Sequence, residues 1–327
     1  MPQHVTDNIE MMPDSPVARE DLGAGGASRG AGARSPLFWK VLLLSVAIIW
    51  GYSFTTMKDA LDTIPVFELL YVRFLPAALV MFVIFHKRII AHINARNLIV
   101  GLGMGTLMWA AYVLQTVGLA HTTAGKNAFL TGTYCILVPF ASYFLSGEKL
   151  TRYNLGAALL CLAGIGLVAL DSVEFNIGDA ITLGGAVFFA IQMAVTAKYG
   201  RKMDINVITF WMFVGNGVLS LISSLLFETQ APLSVWTPNF ICVMAFLSVG
   251  CTCVALLIQN VGLAHVPAST GSLLLSMESP SGVLFSVLLM GEALTSRLLA
   301  GFVLIFLSII LSETHFDFLR RKPRPQL

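Results

Sequence analysis

The chain has 327 residues, of which 56% are hydrophobic and 12% charged; its net charge is +2 and its mean hydropathy is +0.80. Soluble domains carry about 25% charged residues, so this composition excludes a water-soluble globule and predicts that lipid surrounds most of the chain. The near-neutral charge gives no indication of nucleic-acid binding. The five cysteines lie in apolar runs without zinc-ligand or redox spacing, so neither a metal nor a cofactor is predicted.

Ten apolar segments follow a polar N-terminal stretch. Residues 1–36 are rich in Gly, Ala, Ser and charge, lack the apolar region of a signal peptide, and are predicted to form a disordered cytoplasmic tail. Each later segment approaches the ~20 residues that cross a hydrocarbon core. The predicted spans are 38–57, 66–85, 98–118, 123–145, 154–171, 179–197, 206–226, 238–258, 268–290 and 295–313. Residues 315–327 are predicted to be a basic cytoplasmic tail.

One motif occurs twice in the chain. Gln-Thr-Val-Gly-Leu-Ala-His at 115–121 returns as Gln-Asn-Val-Gly-Leu-Ala-His at 259–265, and Gly147-Glu148 returns as Gly291-Glu292 at the same offset of 144 residues. This repetition predicts two copies of one unit, residues 37–173 and 174–314. Because each copy has an odd number of spans, the second copy enters the membrane from the opposite side. We therefore predict an all-α membrane protein with ten transmembrane helices in two inverted five-helix repeats.

The distribution of Lys and Arg predicts the orientation. With the N-terminus inside, fourteen of the twenty lie near cytoplasmic ends, and the external side receives Lys58, Lys126 and Arg297. The positive-inside rule then places both termini in the cytoplasm. The predicted location is the inner (cytoplasmic) membrane of a prokaryote, with membrane lipids and a small-molecule substrate as partners; a homodimer is left open.

Several short motifs together resemble one transporter family. They are Trp50-Gly51-x-x-Phe54-x-x-x-Lys58, Arg73-Phe74, the run Gly125–Pro139, Met277-Glu278-Ser279-Pro280, and Gly178-Asp179 with Lys198. The set, spread over roughly residues 40–315, resembles the EamA-type members of the drug/metabolite transporter superfamily. The resemblance implies ten helices in two inverted repeats around a central cavity, and transport of small solutes, often outward. It does not identify the solute.

Glu278 is the sharpest candidate for a substrate-binding or proton-coupling residue. It lies about 15 Å into its predicted span at 1.5 Å per residue, where a charged carboxylate costs about 2.5–3.5 kcal/mol. It is therefore expected to face a cavity or a partner. Pro280 frees the carbonyl of Ser276 and predicts a local break in the helix. The alternative is a neutral Glu278 that bonds to Ser276 or Ser279 and only stabilises packing.

The repeat register relates Glu278 to Tyr134, 144 residues earlier. We therefore predict that Tyr134 lines the same cavity. The alternative is a buried phenol bonded to a neighbouring carbonyl. Pro139 frees the carbonyl of Cys135 and predicts a corresponding weak point in the first half.

Two cations are further candidates. Lys126 is expected to lie one turn inside the external surface, where it either snorkels outward or pairs with Glu278 or an anionic group of the substrate. Arg73 is expected about 10 Å into the second span. Because its guanidinium cannot lose its proton, it must snorkel outward or meet a carboxylate, carbonyls or water.

Trp109, Tyr112 and Gln115 are predicted to share one face of the third span. This face offers either stacking to an aromatic or cationic solute or ordinary helix packing. For the substrate as a whole, Lys126 and Arg73 favour an anion or a zwitterion, whereas Glu278 with the aromatic residues favours a cation. The sequence leaves this conflict open.

These observations predict a secondary active transporter of a small metabolite or drug that works by alternating access. No G-x-x-x-x-G-K-[ST] phosphate loop occurs, so ATP bound to this chain is not expected to drive transport. A passive channel or a non-transporting membrane scaffold is the alternative. An intramembrane enzyme is a remote alternative, because the six histidines are scattered and neither His-Glu-x-x-His nor Gly-x-Ser-x-Gly is present.

Overall fold

A computed structural model of the chain describes residues 35–169, 176–290 and 295–314, and all regular secondary structure in these residues is helical. The first part contains α1 (Pro36–Leu61), α2 (Val66–Ala91), α3 (Ala95–His121), α4 (Ala124–Gly132), α5 (Tyr134–Ser146) and α6 (Arg152–Ala169). The second contains α7 (Ile177–Gly200), α8 (Ile205–Phe227), a 3₁₀ turn (Leu233–Val235), α9 (Pro238–Ala245), a π-helix (Phe246–Val254), α10 (Ala255–His265), α11 (Ala268–Leu275), α12 (Glu278–Met290) and α13 (Ser296–Thr314). The two predicted tails, apart from residues 35 and 36, and the second Gly-Glu at 291–292 lie outside the described residues.

Seven helical segments are long and apolar enough to cross a membrane. They are Pro36–Leu61, Val66–Ala91, Ala95–His121, Lys126–Ser146, Ile177–Gly200, Ile205–Phe227 and Pro238–His265. The predicted fifth and tenth spans correspond to the shorter apolar stretches Arg152–Leu167 and Leu299–Ser308. The predicted ninth span is divided between α11 and α12. Helix length therefore supports seven of the ten predicted crossings, and the count of ten stays a prediction.

Side-chain caps and one glycine define several helix ends. At the start of α7, Asn176 Oδ1 accepts from the backbone N–H of Asp179 at 3.0 Å, and Asp179 Oδ2 accepts from that of Asn176 at 2.9 Å, which forms a capping box. The side chains of Asn94 and Thr123 cap α3 and α4 with one bond each, from the backbone N–H of Asn97 and of Lys126. α5 ends at Ser146 and is capped by Gly147, whose φ of 69° lies in the left-handed region that favours glycine.

The repeated Gly-Leu-Ala-His sequence closes two helices. The predicted third and eighth spans end at residues 118 and 258, but α3 and α10 continue to His121 and His265. The imidazole Nδ1 of each histidine lies 2.8 and 2.7 Å from the carbonyl oxygens of Val117 and Val261, one turn earlier. Each imidazole thus folds back onto the last turn of its own helix.

At one end of the bundle, the end of α1 and the start of α7 both meet the end of α3. Lys58 of α1 donates from Nζ to the carbonyl oxygen of Thr122 at 3.1 Å. Gly178 of α7 packs so closely on Gly118 of α3 that an added Cβ would lie 2.8 Å from a carbonyl oxygen. The lack of a side chain at both positions allows this approach.

At the other end, the start of α1 and the end of α7 both meet the end of α10. The ring of Trp39 stacks on His265 with 4.1 Å between centroids. Gly200 of α7 lies against Ala264, with 3.0 Å between an added Cβ and the alanine Cβ. Helices α1 and α7 therefore run in opposite directions through the bundle.

The backbones of α1 and α12 are in close contact near the centre of the molecule. A Cβ at Gly51 would lie 2.7 Å from both the carbonyl oxygen of Glu278 and the backbone nitrogen of Gly282. Elsewhere α2 packs along α8, α6 along α13, and α5 along α7. The start of α12 is thus held directly against the middle of α1.

Candidate functional site

Two interrupted helices meet at the centre of the bundle. α4 and α5 are separated at Thr133, and α11 and α12 are separated at Ser276 and Met277. The predicted break beside Pro280 is present: the carbonyl of Ser276 accepts from the N–H of Ser279 at 3.4 Å instead of from a residue one full turn on. A new helix begins after each interruption, α5 after the first and α12 after the second. The dipole of each helix favours negative charge near its first residues.

Tyr134 and Glu278 are the first residues of α5 and α12, and their side chains bond to each other. The hydroxyl of Tyr134 donates to Oε1 of Glu278 at 3.3 Å, and only 2% and 3% of the two residues are exposed. Ser276 instead donates to the carbonyl of Leu273, and the hydroxyl of Ser279 has no hydrogen-bond partner in the part of the chain that the structure describes. The carboxyl group is therefore not engaged by the neighbouring serines.

A small cavity of about 30 Å³ lies beside this bond. Five of the predicted site residues line it: Arg73, Tyr112, Gln115, Tyr134 and Glu278. The remaining lining residues were not among the predicted site residues: Trp50, Ser53, Phe54, Met57, Thr131, Phe189, Met193, Leu256 and Gln259. The cavity therefore combines a guanidinium and a carboxyl group with amide, hydroxyl and aromatic side chains.

Two sequence signals point to part of the missed lining. Gln259 is the counterpart of Gln115 in the repeat, and both amides line the cavity. Trp50 and Phe54 belong to the first motif of the family resemblance; Trp50 donates from Nε1 to the carbonyl oxygen of Cys251 at 2.8 Å. Phe189, by contrast, lies in the apolar run 183–191, whose sequence does not distinguish one face of the helix from another.

Arg73 is fully buried at the edge of the cavity. Its Nε donates to Oγ1 of Thr252 at 3.2 Å, and its Nη1 lies 2.7 Å from Sδ of Met57. The guanidinium carbon lies 5.1 Å from the ring centroid of Tyr112, a cation–π distance. Its backbone carbonyl accepts from Ser248 at 2.7 Å. The side chain does not snorkel outward, and within residues 35–169, 176–290 and 295–314 it meets no carboxylate; it is held by α1, α3 and the π-helix.

The two other predicted site residues lie away from the cavity. Lys126 neither reaches Glu278 nor snorkels freely, because its Nζ lies 3.0 Å from Oδ2 of Asp179, with 11% and 1% of the two side chains exposed. Asp179 also accepts from the hydroxyl of Thr122 at 2.7 Å. Trp109 does not line the cavity, and its buried Nε1 has no hydrogen-bond partner among the described residues. The aromatic face predicted for α3 thus contributes Tyr112 and Gln115 only.

The helices and the cavity together define a multi-pass helical membrane protein with a polar chamber at its centre. The EamA-like transporter family matches residues 37–170 and, a second time, residues 176–314. The chain therefore belongs to the EamA-like transporter family, in agreement with the resemblance seen in its motifs.

Relatives of the chain carry transporter names. An uncharacterized transporter of Archaeoglobus fulgidus is 30% identical over 293 residues, which cover 90% of this chain and 89% of the relative. The uncharacterized transporter YoaV of Bacillus subtilis is 26% identical over 296 residues, which cover 86% of this chain and 99% of the relative. A crystal structure with 17% identity superposes with a TM-score of 0.72 over 88% of this chain and 100% of its own. The family and these names describe a membrane transporter; the superposition concerns the fold alone.

Proposed function

We propose that the protein is a secondary active transporter that carries a small solute through the central cavity by alternating access. In this proposal ten spans form two inverted five-helix repeats in the inner membrane, with both termini in the cytoplasm. The single observation that carries it is the buried cavity lined by Arg73, Tyr134 and Glu278, within a chain of the EamA-like family. Arginine and glutamate are costly in a bilayer, and their typical use there is in solute and proton pathways.

The contacts between repeat counterparts support the inverted arrangement. Tyr134 and Glu278, which bond to each other, stand 144 residues apart, the offset of the repeat. Residues touch their own counterparts only where they lie near the axis that relates the two copies. An axis through this bond, lying in the membrane plane, places the cavity between the repeats.

A second pair of contacts supports the same axis at the periphery. Lys58, at the end of α1, donates to the carbonyl oxygen of Thr122 at 3.1 Å. Arg201, at the end of α7, donates to that of Val266 at 3.1 Å. Thr122 and Val266 are again 144 residues apart. Each cation thus meets the carbonyl end of the corresponding helix, where positive charge is favourable, at opposite ends of the bundle.

The size of the cavity favours a mechanism with moving parts. Its volume of about 30 Å³ is far below the ~300–1,000 Å³ of typical small-molecule sites. A solute therefore enters only after the walls separate. The interruptions before Tyr134 and Glu278 supply helix ends at which such a movement can pivot.

Glu278 is the residue we propose for coupling to protons. The cost of burying its carboxyl group depends on whether it carries a charge, so loss or gain of a proton changes how the group interacts with solute and walls. Exchange of a proton for a solute then uses the proton gradient without ATP.

The test is solute flux in proteoliposomes with and without an imposed pH gradient. A thermal-shift screen of the purified protein against amino acids, purines, nucleosides and amines first identifies a solute, because a binder stabilises the folded state. We expect saturable flux that a pH gradient accelerates. Glu278→Gln is expected to abolish the acceleration while the protein still folds.

Glu148→Gln is the matched control. Glu148 pairs with Arg201 at 3.4 Å at the surface, with 23% and 44% of the side chains exposed, and such pairs contribute little. We expect this variant to retain the wild-type response to the pH gradient. Full proton coupling in Glu278→Gln removes the coupling proposal, and flux that does not saturate indicates a channel instead of a carrier.

A further inference from the structure

An apolar groove, apart from the central cavity, is lined by α1, α12 and α13. Leu44 and Ile48 belong to α1, Phe302 and Phe306 belong to α13, and the rest of the lining comes mainly from the first turns of α12. The groove has a volume of about 310 Å³, which reaches the ~300–1,000 Å³ of typical small-molecule sites. Among the described residues, none lines both the apolar groove and the central cavity. The groove is therefore a separate site, and the proposed function does not use it.

The lining of the apolar groove offers little to a polar ligand. Among its lining residues there is no charged side chain, and the one hydroxyl belongs to Ser281. Met277 and Pro280 are buried at its base, whereas Ile48 and Leu284 are 44% and 43% exposed at its edge. A water molecule inside a protein requires two to four polar partners, so this lining is not suited to water. It is suited to hydrocarbon.

The apolar groove lies near the middle of its helices. Ile48 is about 18 Å along α1 and Phe306 about 15 Å along α13, at 1.5 Å per residue, and the two helices have 26 and 19 residues. In a membrane transporter of this family, the middle of the helices lies in the ~30 Å hydrocarbon core. Acyl chains, and neither headgroups nor water, surround the protein at that depth.

We infer that the apolar groove binds one acyl chain of a membrane phospholipid. Acyl chains are present at this depth, and a slender chain of methylene groups needs no polar partner. A neighbouring helix is about 10–12 Å thick with its side chains, so it would cover the groove without filling it. An acyl chain in the groove supplies the dispersion contacts that an unfilled void forfeits.

The bound acyl chain also reaches the second interruption. Met277 and Pro280 line the apolar groove, whereas Glu278, between them, lines the central cavity. The acyl chain therefore packs against the start of α12 from the lipid side and supports the helix end that carries Glu278. This support stabilises the folded protein, so the inference has a consequence that can be measured.

Photochemical labelling tests the inference directly. Purified protein in detergent is titrated with phosphatidylethanolamine that carries a diazirine near the terminal methyl group of one acyl chain, then illuminated and digested for mass spectrometry. We expect labelling at Ile48 and Phe306 to saturate at one lipid per chain. Leu79 and Val83 of α2 are 63% and 65% exposed and lie outside the groove. Their labelling is expected to rise in proportion to the added lipid.

Ile48→Trp is expected to abolish the saturable labelling, because the indole ring occupies the apolar groove. Added lipid is expected to raise the melting temperature of the unsubstituted protein, since a ligand of the folded state stabilises it, and this variant is expected to lose that rise. Ile222→Trp is the matched control and is expected to keep both effects: Ile222 lies on α8 outside the groove and is 48% exposed, against 44% for Ile48. Leu284→Trp repeats the test from α12 should Ile48→Trp fail to fold.

Three outcomes overturn the inference. Labelling at the groove that rises in proportion to the lipid, as at Leu79 and Val83, indicates an ordinary lipid-facing surface. Saturable labelling that persists in Ile48→Trp means that the lipid binds elsewhere. Cross-linked dimers that form through the groove and exclude the lipid identify a second copy of this chain as the occupant.

Discussion

At the scale of single residues, the neighbours Trp50 and Gly51 make different contacts. Trp50 lines the cavity and is fixed by its bond to the carbonyl of Cys251. Gly51 faces α12, and because it has no side chain, the backbone of α1 can approach the backbone at Glu278 closely. The glycine thus controls the position of the carboxyl group without touching the cavity.

Gly51→Ala is expected to lower the free energy of unfolding by about 1–3 kcal/mol, because the added methyl group would lie 2.7 Å from backbone atoms of α12 that cannot yield easily. Thermal denaturation in detergent measures this. Gly103→Ala is the control, since no neighbouring atom of the described chain lies within 4 Å of a Cβ at that position. Equal melting temperatures for the two variants would show that α1 and α12 are not packed as described.

At the scale of helices, the start of α4 is joined to the start of α7. The buried pair of Lys126 and Asp179 makes this connection, and Thr122 supports the carboxylate. Asn127 adds donors to the hydroxyl of Thr182 at 2.8 Å and to the carbonyl of Gln115 at 3.0 Å. Helix α4, which precedes the interruption at Thr133, is therefore held against α7 in the second half of the molecule.

Asp179→Asn is expected to destabilise the protein by about 3–5 kcal/mol, because it removes one charge of a buried pair and leaves the other. The double variant Lys126→Met with Asp179→Asn is expected to recover much of this loss. Arg88→Gln serves as the control: it breaks a pair whose arginine is 54% exposed, and the expected cost is below about 1 kcal/mol. Additive losses in the double variant would contradict direct coupling between the two side chains.

At the scale of the whole molecule, equivalent loops are expected to face opposite sides of the membrane. Thr63 lies two residues after the end of α1, and Lys202 lies two residues after the end of α7; both residues are exposed. In a parallel repeat the two loops would face the same side. The side of the membrane on which each loop lies therefore distinguishes an inverted repeat from a parallel one.

Thr63→Cys and Lys202→Cys, each placed in a Cys242→Ser background because Cys242 is the exposed cysteine among the five, test this with a thiol reagent that does not cross membranes. In intact cells we expect the reagent to label position 63 and to spare position 202. After permeabilisation both positions are expected to react. Labelling of both positions in intact cells would rule out the inverted repeat.

Much of the architecture, and one pair of residues that line the candidate site, follow from patterns along the chain. Long apolar runs separated by charged and turn-forming residues predict helices, because each such run alone satisfies its backbone in lipid. The repeated motif defines an offset of 144 residues, and that offset by itself relates Tyr134 to Glu278. The repeat thus predicts that the two side chains line one cavity, whereas the hydrogen bond between them is seen only in the folded chain.

The tertiary structure decided which side chains face the cavity and which partners they take. The sequence predicts Lys126 and Arg73 alike as residues of the cavity. Lys126 instead pairs with Asp179, 53 residues later, because α4 packs against α7. Phe189 and Met193 lie in the mainly apolar middle of α7, so only packing assigns them to the lining. A one-dimensional pattern records which segments are apolar and which segments are copies of each other. Which faces meet depends on close approach at positions such as Gly51, and that is a property of the folded chain.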